Sequence, residues 1–136
     1  MKRTAAANWQ GSGKEGHGTV STQSTVLDGT QYSFNTRFAD GIGTNPEELV
    51  GAAHAGCFTM KLSFVIGEYG LTAENIDTKA TVTFENGAIP NIHLSVKASV
   101  PGMTVEQFAE AAQNAKANCP ISKLLNTDIT MDAELV

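Results

Sequence analysis

The chain has 136 residues, enough to bury one hydrophobic core without disulfide cross-links, and we expect a single domain comprising residues 1–136. Its formal net charge is −5 and its basic residues are not clustered, which argues against a nucleic-acid partner. The three histidines have no metal-ligand spacing, so that no metal site is expected. Two cysteines are too few for a disulfide scaffold, and no apolar segment follows the first three residues. We therefore expect a cytoplasmic protein.

Three strands are predicted before the middle of the chain, at residues 4–9, 19–25 and 31–38. In the third segment aromatic and polar residues alternate strictly, which places Arg37 on the face opposite to the aromatic side chains. Asp28-Gly29 is a hairpin signal. Short connections between the three segments predict an antiparallel β-meander.

A long central helix is predicted at residues 45–69. Asn45 can cap it, Pro46 suits the first helical position, and two glutamates place negative charge in the first turn. Charged residues and a histidine interrupt its apolar run, so that we expect the core helix of a soluble protein and no membrane partner. Apolar residues recur at steps of three and four, which predicts a buried face made by Leu49, Ala52, Ala53, Cys57, Met60 and Phe64.

Two further features of this helix concern its neighbours. Gly51 and Gly56 lower helix propensity by roughly 1 kcal/mol each, which suggests that something packs closely against the helix backbone. Leu62, Val65 and Ile66 widen the apolar surface, and a helix that is apolar on more than one side is buried on more than one side. Because the chain is short, a second copy is the simplest cover, and we expect a homodimer.

The second half of the chain returns to strands and then to helices. Asn86-Gly87 is the strongest hairpin signal in the chain, and a Thr-x-x-Gln capping box marks the start of a second helix. Cys119 lies at or near the cap of a short helix that Pro120 can begin. The order of elements is that of an α+β domain. The predicted segments are strands at residues 76–84, 89–100 and 127–135 and helices at residues 105–117 and 120–125.

Cys57 allows two interpretations. Free cysteine is among the most buried residue types, so that Cys57 can be a small hydrophobic side chain of the core. Alternatively it is a reactive thiol, although a position in the middle of a helix is too far from the N-terminus for the helix dipole to lower its pKa. A reactive Cys57 would need a cation from elsewhere, and the candidates are His54 and Arg37. Arg37 is otherwise a solvent-facing strand residue or a partner of Glu47.

Cys119 is either a loop thiol without function or a resolving cysteine at the start of a helix, where a thiolate is favoured. A cysteine on a helix and a second, mobile cysteine suit a redox cycle in which a sulfenic acid condenses to a disulfide. The spacing of the two cysteines does not show whether they meet.

Glu47 and Glu48 differ in their geometry relative to Cys57. At 100° per residue, Glu47 lies about 80° round the helix from Cys57 and Glu48 about 180°. Ten residues correspond to about 15 Å of rise, too far for a direct contact between Glu47 and Cys57 within one helix. If Glu47 acts with Cys57, a loop or a second subunit has to bring them together; otherwise both glutamates only stabilise the helix N-terminus.

Six motifs along the chain are similar, in sequence and in order, to those of the OsmC/Ohr family, which comprises the osmotically inducible protein C and organic hydroperoxide resistance proteins. They are most similar to the OsmC branch of that family. The resemblance implies an OsmC-like α+β fold, an intertwined homodimer with two active sites at the subunit interface, and a thiol-dependent peroxidase. The chain departs from the family pattern at Gly56, where alanine is usual, and in its tight Asn86-Gly87 turn. The motifs are GTVSTQS (18–24), FNTRF (34–38), GTNPEELVGAAHAGCF (43–58), IDT (76–78), VPG (100–102) and AKANCPIS (115–122).

The resemblance also assigns roles to four residues. Cys57 matches the peroxidatic cysteine of the family and Cys119 the resolving cysteine. Glu47 matches the active-site glutamate, and Arg37 matches the active-site arginine of the OsmC branch. Arg37, held by Glu47, then stabilises the Cys57 thiolate as it attacks the peroxide, after which a Cys57–Cys119 disulfide forms. Organic hydroperoxides are the implied substrates, ahead of hydrogen peroxide, and lipoyl-type dithiols the implied reductants; no cofactor and no metal are implied.

Two other classes of protein compete with this interpretation. One is a non-enzymatic, stress-associated binding module with buried, unreactive cysteines. The other is a disulfide oxidoreductase without peroxidase activity, but the chain has neither a Cys-x-x-Cys motif nor a βαβ pattern of the thioredoxin type. Turnover of cumene hydroperoxide with a dithiol would separate the three classes.

Overall fold

The computed structural model describes all residues, Met1–Val136, which form two compact units, Met1–Leu49 and Val50–Val136. That the chain is a single domain stays a prediction. The strands are β1 (Ala5–Gln10), β2 (His17–Thr22), β3 (Thr30–Tyr32), β4 (Asn75–Glu85), β5 (Ala88–Ser99) and β6 (Asp128–Leu135). The helices are α1 (Phe34–Phe38), α2 (Pro46–Glu68), α3 (Val105–Asn118) and α4 (Pro120–Leu124).

The first unit contains a three-stranded antiparallel sheet in the order β1-β2-β3, which confirms the predicted meander. Gly18 lies in its middle strand, opposite Trp9 and Tyr32, whose ring centroids are 5.2 Å apart. A Cβ at Gly18 would collide with the backbone carbonyl of Asn8 and with both rings. Only glycine therefore lets the two aromatic side chains close over this strand.

The predicted strand at residues 31–38 is wrong beyond Tyr32. Ser33 caps α1 through a capping box, in which the Thr36 N–H donates to Ser33 Oγ and the Ser33 N–H donates to Thr36 Oγ1. Two reciprocal hydrogen bonds outweigh an alternation that is only a few residues long. Arg37 is consequently a helix residue, and its guanidinium carbon lies 5.1 Å from the centroid of the Phe38 ring. The prediction that Arg37 lies on a strand face opposite to the aromatic side chains is therefore wrong.

The long helix forms where it is predicted, but it buries a different face. Asn45 Oδ1 accepts the Glu48 N–H at 2.8 Å, as expected of the cap. Met60 and Phe64, predicted to be buried, are 64% and 68% exposed. The apolar side chains occupy most of the circumference of α2, so that periodicity alone cannot select the stripe that packs. The buried residues of α2 are Gly51, His54, Phe58, Leu62, Val65 and Ile66.

The two glycines of α2 differ in their surroundings. A Cβ at Gly51 would lie 3.3 Å from Val82 Cγ2 of β4, which confirms the predicted close approach. A Cβ at Gly56 would have nothing within 4 Å, so that the same prediction is wrong there. With a mean hydropathy of 1.5, α2 is long and apolar enough to cross a membrane, contrary to the expectation from its charged residues. Core helices also meet this criterion, and α2 contributes side chains to the core of the second unit.

The second unit packs α2 and α3 on a sheet of order β4-β5-β6, with β4 and β5 antiparallel and β5 and β6 parallel. Asn86 and Gly87 both have positive φ, 50° and 76°, as a type I′ hairpin turn requires. The capping box of α3 forms as predicted. Alternate residues of β5 make the centre of the core, and α2 and α3 cover them. The core includes Ile92, Leu94, Val96, Ala98, Phe58, Leu62, Phe108, Ala111 and Cys119.

Candidate active site

The two cysteines meet in the second unit. Cys57 is partly buried on α2 and Cys119 is fully buried between α3 and α4, and their sulfur atoms lie 2.9 Å apart. Both are free thiols. The separation is that of a hydrogen-bonded pair and exceeds the bond length of a disulfide, about 2.05 Å. A sub-ångström movement of either sulfur therefore brings the pair to bonding distance.

The break between α3 and α4 places Cys119 against α2. The Cys119 N–H still donates to the Ala115 carbonyl at 2.9 Å, which completes the last turn of α3. Pro120 then prevents the helix from continuing and favours extended backbone at the residue before it; Cys119 has φ −59° and ψ 126°. The chain turns at Cys119 and α4 starts in a new direction. Because Cys119 makes no side-chain capping bond to α4, its sulfur can face Cys57.

The two thiols have opposite tendencies to ionise. Burial raises the pKa of Cys57, and its contact with Cys119 raises the pKa further, against the opposing effect of the Ile121 N–H. Burial also disfavours the thiolate of Cys119, but the donor groups of Cys57, Ser122 and Ile121 near its sulfur outweigh the effect of burial and lower the pKa of Cys119. With both thiols protonated, Cys119 Sγ donates to Cys57 Sγ across the 2.9 Å contact. The pKa directions reverse this bond when the pair loses a proton, because Cys119 ionises first and Cys57 keeps its proton. A low pKa at Cys57 therefore still requires a cation.

His54 does not supply that cation. Its side chain is fully buried, Nε2 lies 2.8 Å from Ser122 Oγ, and Nδ1 is buried without a hydrogen-bond partner. Burial lowers the pKa of His54, so that the imidazole is neutral at neutral pH. The sequence analysis missed the contact between His54 and Ser122. Ser122 lies three residues after Cys119, and residues three apart share a helix face. This spacing is the signal that could have indicated Ser122 as a residue near the thiol pair.

Arg37 and Glu47 form an ion pair in the first unit, as one of the sequence-based alternatives expected. Glu47 Oε1 accepts from Arg37 Nε at 2.9 Å and from Nη2 at 2.8 Å. The other oxygen, Oε2, is buried without a hydrogen-bond partner, and the Glu47 side chain is only 14% exposed. Beside the pair lies a cavity of about 240 Å³ that is mostly aromatic. Its walls include Trp9, Tyr32, Phe34, Phe38 and Arg37.

The structure thus assembles the four predicted site residues as two pairs, Cys57 with Cys119 and Arg37 with Glu47. Glu47 and Cys57 are ten residues apart on α2, as their numbering requires. No three His, Cys, Asp or Glu side chains lie close enough together to hold a metal ion. The chemistry available to the thiol pair is redox chemistry, and the ion pair offers a held positive charge beside an apolar cavity.

Known proteins resemble this chain over nearly its whole length. The family model of OsmC-like proteins matches residues 39–134. The chain is 49% identical to peroxiredoxin OsmC of Escherichia coli K12, over 99% of this chain and 97% of that protein. It also resembles the crystal structure of the organic hydroperoxide resistance protein OhrB of Bacillus subtilis, with 26% identity, a TM-score of 0.65 and 98% of each chain covered. The OsmC-like protein of Mycoplasma pneumoniae, 13% identical, shares the fold with a TM-score of 0.79 over 100% of this chain and 98% of that chain.

These comparisons confirm two of the sequence-based predictions. The α+β fold is OsmC-like, because solved structures of that fold align with almost the entire chain. The predicted class of enzyme, a cysteine-based peroxidase and oxidoreductase, agrees with the name of a relative at 49% identity. The matched range of the family model includes Glu47 and both cysteines of the thiol pair. The chain belongs to the OsmC family.

Proposed function

We propose that this chain is a thiol-dependent peroxidase that reduces organic hydroperoxides to alcohols and, more weakly, hydrogen peroxide to water. The 2.9 Å contact between Cys57 and Cys119 is the observation that carries the proposal, since a sulfenic acid on one sulfur has its resolving thiol within reach. Relatives named peroxiredoxin OsmC and organic hydroperoxide resistance protein support it. The aromatic cavity beside Arg37 and Glu47 suits the apolar part of an organic hydroperoxide.

The reaction has three steps. The Cys57 thiolate attacks the distal peroxide oxygen; an S–O bond forms, the O–O bond breaks, and the alkoxide leaves and takes a proton to become the alcohol. The Cys119 thiolate then attacks the sulfenic sulfur, forming the disulfide and releasing hydroxide, which is protonated to water. An external dithiol reduces the disulfide by thiol–disulfide exchange and is itself oxidised.

Arg37 is the proposed cation for the first step. The guanidinium is permanently charged, and Glu47 Oε1 orients it through two of its N–H groups. A positive charge near Cys57 would stabilise the thiolate that burial disfavours, and would also stabilise the charge that develops on the leaving alkoxide. Because Glu47 and Cys57 are about 15 Å apart along one helix, we assign Glu47 of one chain to the Cys57 of a second chain.

The second chain would be another copy in a homodimer. Gly56, Met60 and Phe64 follow one another at four-residue spacing on α2, and they leave an exposed apolar stripe with open space above Gly56. Burial of Met60 and Phe64 against a second copy would remove this stripe from water. A lipoyl-type dithiol as the reductant remains a prediction from the resemblance, and a cytoplasmic location remains a prediction from the sequence.

One observation favours the competing binding module with unreactive cysteines. Burial raises the pKa of Cys57, and an unreactive thiol is what that change alone would produce. The two functions predict opposite results with peroxide. A binding module leaves cumene hydroperoxide untouched at neutral pH, whereas a peroxidase consumes it in the presence of a dithiol.

The experiment follows cumene hydroperoxide with dihydrolipoamide as the reductant, for the wild type and for Cys57→Ser. We expect steady turnover by the wild type and none by Cys57→Ser, because the nucleophile is lost. Both cysteines of the chain belong to the site, so that the control is the fold, checked by circular dichroism and thermal unfolding. Retention of most turnover by a folded Cys57→Ser protein would overturn the mechanism. Reduction of disulfides without consumption of peroxide would identify a disulfide oxidoreductase.

A further inference from the structure

The two cysteines of the thiol pair differ in how they can be reached from outside. Cys57 on α2 is partly exposed, whereas Cys119 is 0% exposed. Cys119 is a member of the hydrophobic core of the second unit, and Cys57 is one of the partly buried residues that pack against this core. Because their sulfur atoms already lie 2.9 Å apart, a disulfide between them joins a partly exposed residue to an enclosed one.

Backbone hydrogen bonds on both sides of Cys119 hold it in the core. Its N–H donates to the Ala115 carbonyl at 2.9 Å, and its carbonyl accepts the Lys123 N–H at 3.1 Å. The first bond closes the last turn of α3, and the second closes the first turn of α4. Movement of Cys119 to the surface would therefore break the joint between the two helices, whereas Cys57 has exposed surface in the closed structure.

The geometry of thiol–disulfide exchange turns this difference into a choice of sulfur. A thiolate attacks one sulfur of a disulfide in line with the S–S bond, opposite to the sulfur that leaves, and a mixed disulfide forms. An attack on Cys119 would have to start inside the core, because Cys119 has no exposed surface. An attack on Cys57 can start from the exposed part of that residue. Access therefore favours Cys57 as the attacked sulfur.

We infer that the external dithiol attacks Cys57 Sγ of the disulfide and that Cys119 leaves as the thiolate. The inference rests on the proposed function and gives Cys57 a second role, since it then reacts with both the peroxide and the reductant. In the first exchange a bond forms between the dithiol sulfur and Cys57, the Cys57–Cys119 bond breaks, and its electron pair goes to Cys119. In the second exchange the other sulfur of the dithiol, as a thiolate, attacks the first; the oxidised dithiol and the Cys57 thiolate are released. The two protons lost by the dithiol pass through solvent to the two cysteines.

The ionisation of the two thiols agrees with this direction and also makes it testable. Burial raises the pKa of Cys57, whereas donor groups near the Cys119 sulfur outweigh burial there and lower the pKa of Cys119. The thiol of lower pKa is the better leaving group, which suits Cys119. In the reverse reaction, where a protein thiolate attacks a small disulfide, ionisation alone would make Cys119 the more reactive residue. Access predicts the opposite, so that the reverse reaction separates the two effects.

The test uses two reduced variants and 2-hydroxyethyl disulfide as the probe. Cys119→Ser keeps Cys57 as its only cysteine, and Cys57→Ser keeps Cys119. Mass spectrometry follows the mixed disulfide, which is stable because no second thiol can displace it. In the folded proteins, Cys119 should react at least about 10²-fold more slowly than Cys57, since local opening has to precede its reaction. In urea, the matched control, the two rates should agree within about tenfold.

Two results would overturn the inference. One is a Cys119 that reacts as fast as Cys57 or faster while circular dichroism shows both variants to be folded; the other is a Cys57 that reacts only in urea. The wild type gives a second measurement: its disulfide, made with diamide and quenched with acid during reduction by 2-mercaptoethanol, should carry the small thiol on Cys57, and an adduct on Cys119 would contradict the inference. Neither measurement uses peroxide. Adducts on Cys57 in a protein that does not turn over peroxide would therefore refute the proposed function and leave the attacked sulfur as assigned.

Discussion

The two units of the chain hold different reactive groups. The second unit holds two sulfur atoms 2.9 Å apart, and no cation is among the groups that set the pKa of Cys57. The first unit holds an arginine–glutamate ion pair beside an aromatic cavity and contains no cysteine. A peroxidase of this kind needs a thiolate and a positive charge. Neither unit has both.

The thiol pair by itself does not favour a Cys57 thiolate. The packing that fixes Cys119 against Cys57 buries Cys119 fully and Cys57 in part, and this burial disfavours the Cys57 thiolate that the first step needs. Donor groups near the Cys119 sulfur outweigh the effect of burial on the pKa of Cys119, whereas the pKa of Cys57 stays raised. Under the proposed function, Cys57 depends on the Arg37–Glu47 ion pair of a second chain, and that dependence can be tested.

The largest effect is expected at Arg37. Arg37→Ala should lower kcat/KM for cumene hydroperoxide by roughly 10²–10³-fold, the usual cost of removing one preorganised electrostatic contact to a transition state. Arg37→Lys keeps the positive charge but loses the two-point contact with Glu47. Its kcat/KM should lie between the values of the wild type and of Arg37→Ala. Steady-state kinetics at fixed dithiol measures both variants.

Arg3→Ala is the matched control, because Arg3 is the only other arginine and is exposed. It should behave like the wild type. Arg37→Ala with unchanged kcat/KM would show that the thiol pair works without the ion pair, and the division between the two units would fail.

Replacement of Cys119 should slow the reaction of Cys57 with peroxide less than replacement of Arg37 does, but it should strongly reduce steady-state turnover. In Cys119→Ser the sulfenic acid of Cys57 cannot become an intrachain disulfide, so that excess peroxide drives it to sulfinic acid. Mass spectrometry should detect the sulfinic acid in the variant and a Cys57–Cys119 disulfide within one chain in the peroxide-treated wild type. Interchain bridges alone would show that Cys119 is not the resolving cysteine of its own chain.

Most of the fold could be predicted from the sequence, because the signals were local and strong. The Asn86-Gly87 turn, the Thr104 capping box and the break at Pro120 each fix a backbone conformation through a few residues. The prediction failed at Phe34–Phe38, where a capping box competes with strand alternation, and on α2, where apolar residues nearly surround the helix. A local capping box decides the first case and tertiary packing the second.

The candidate site could likewise be predicted only in part from the sequence. The contact between Cys57 and Cys119 could not be predicted from spacing, since 62 residues separate them and only the packing of α3 and α4 on α2 brings them together. The pairing of Arg37 with Glu47 was one of three alternatives for Arg37, and the strand assumed for Arg37 was wrong. The resemblance to a family supplied the roles, which no pattern within one sequence could give.

The smallest effect concerns the pH dependence of stability through His54. Burial lowers the pKa of His54 below its usual 6.5 in the folded protein. As pH falls through about 6.5, the unfolded chain therefore takes up a proton that the folded protein does not bind, and the free energy of unfolding falls by at most about 1.4 kcal/mol per pH unit. Above that range the contribution is fully present. His54→Gln should remove this component.

Urea unfolding at one protein concentration, between about pH 7.5 and about pH 5.5, measures this difference. His17→Gln is the control, because it removes an exposed histidine from β2. If the wild type and His54→Gln lost stability equally on acidification, a neutral, buried His54 would be refuted.

The most direct test of the division between the two units is a mixed dimer that joins one Cys57→Ser chain with one Glu47→Ala chain, isolated through two different affinity tags. When Glu47 of one chain serves Cys57 of the other, one site lacks both residues and the other keeps both. The mixed dimer should then retain about half of the wild-type peroxidase activity, while each parent homodimer is inactive or severely impaired. Near-zero activity of a folded mixed dimer would mean that Glu47 serves the Cys57 of its own chain, and would contradict the shared site.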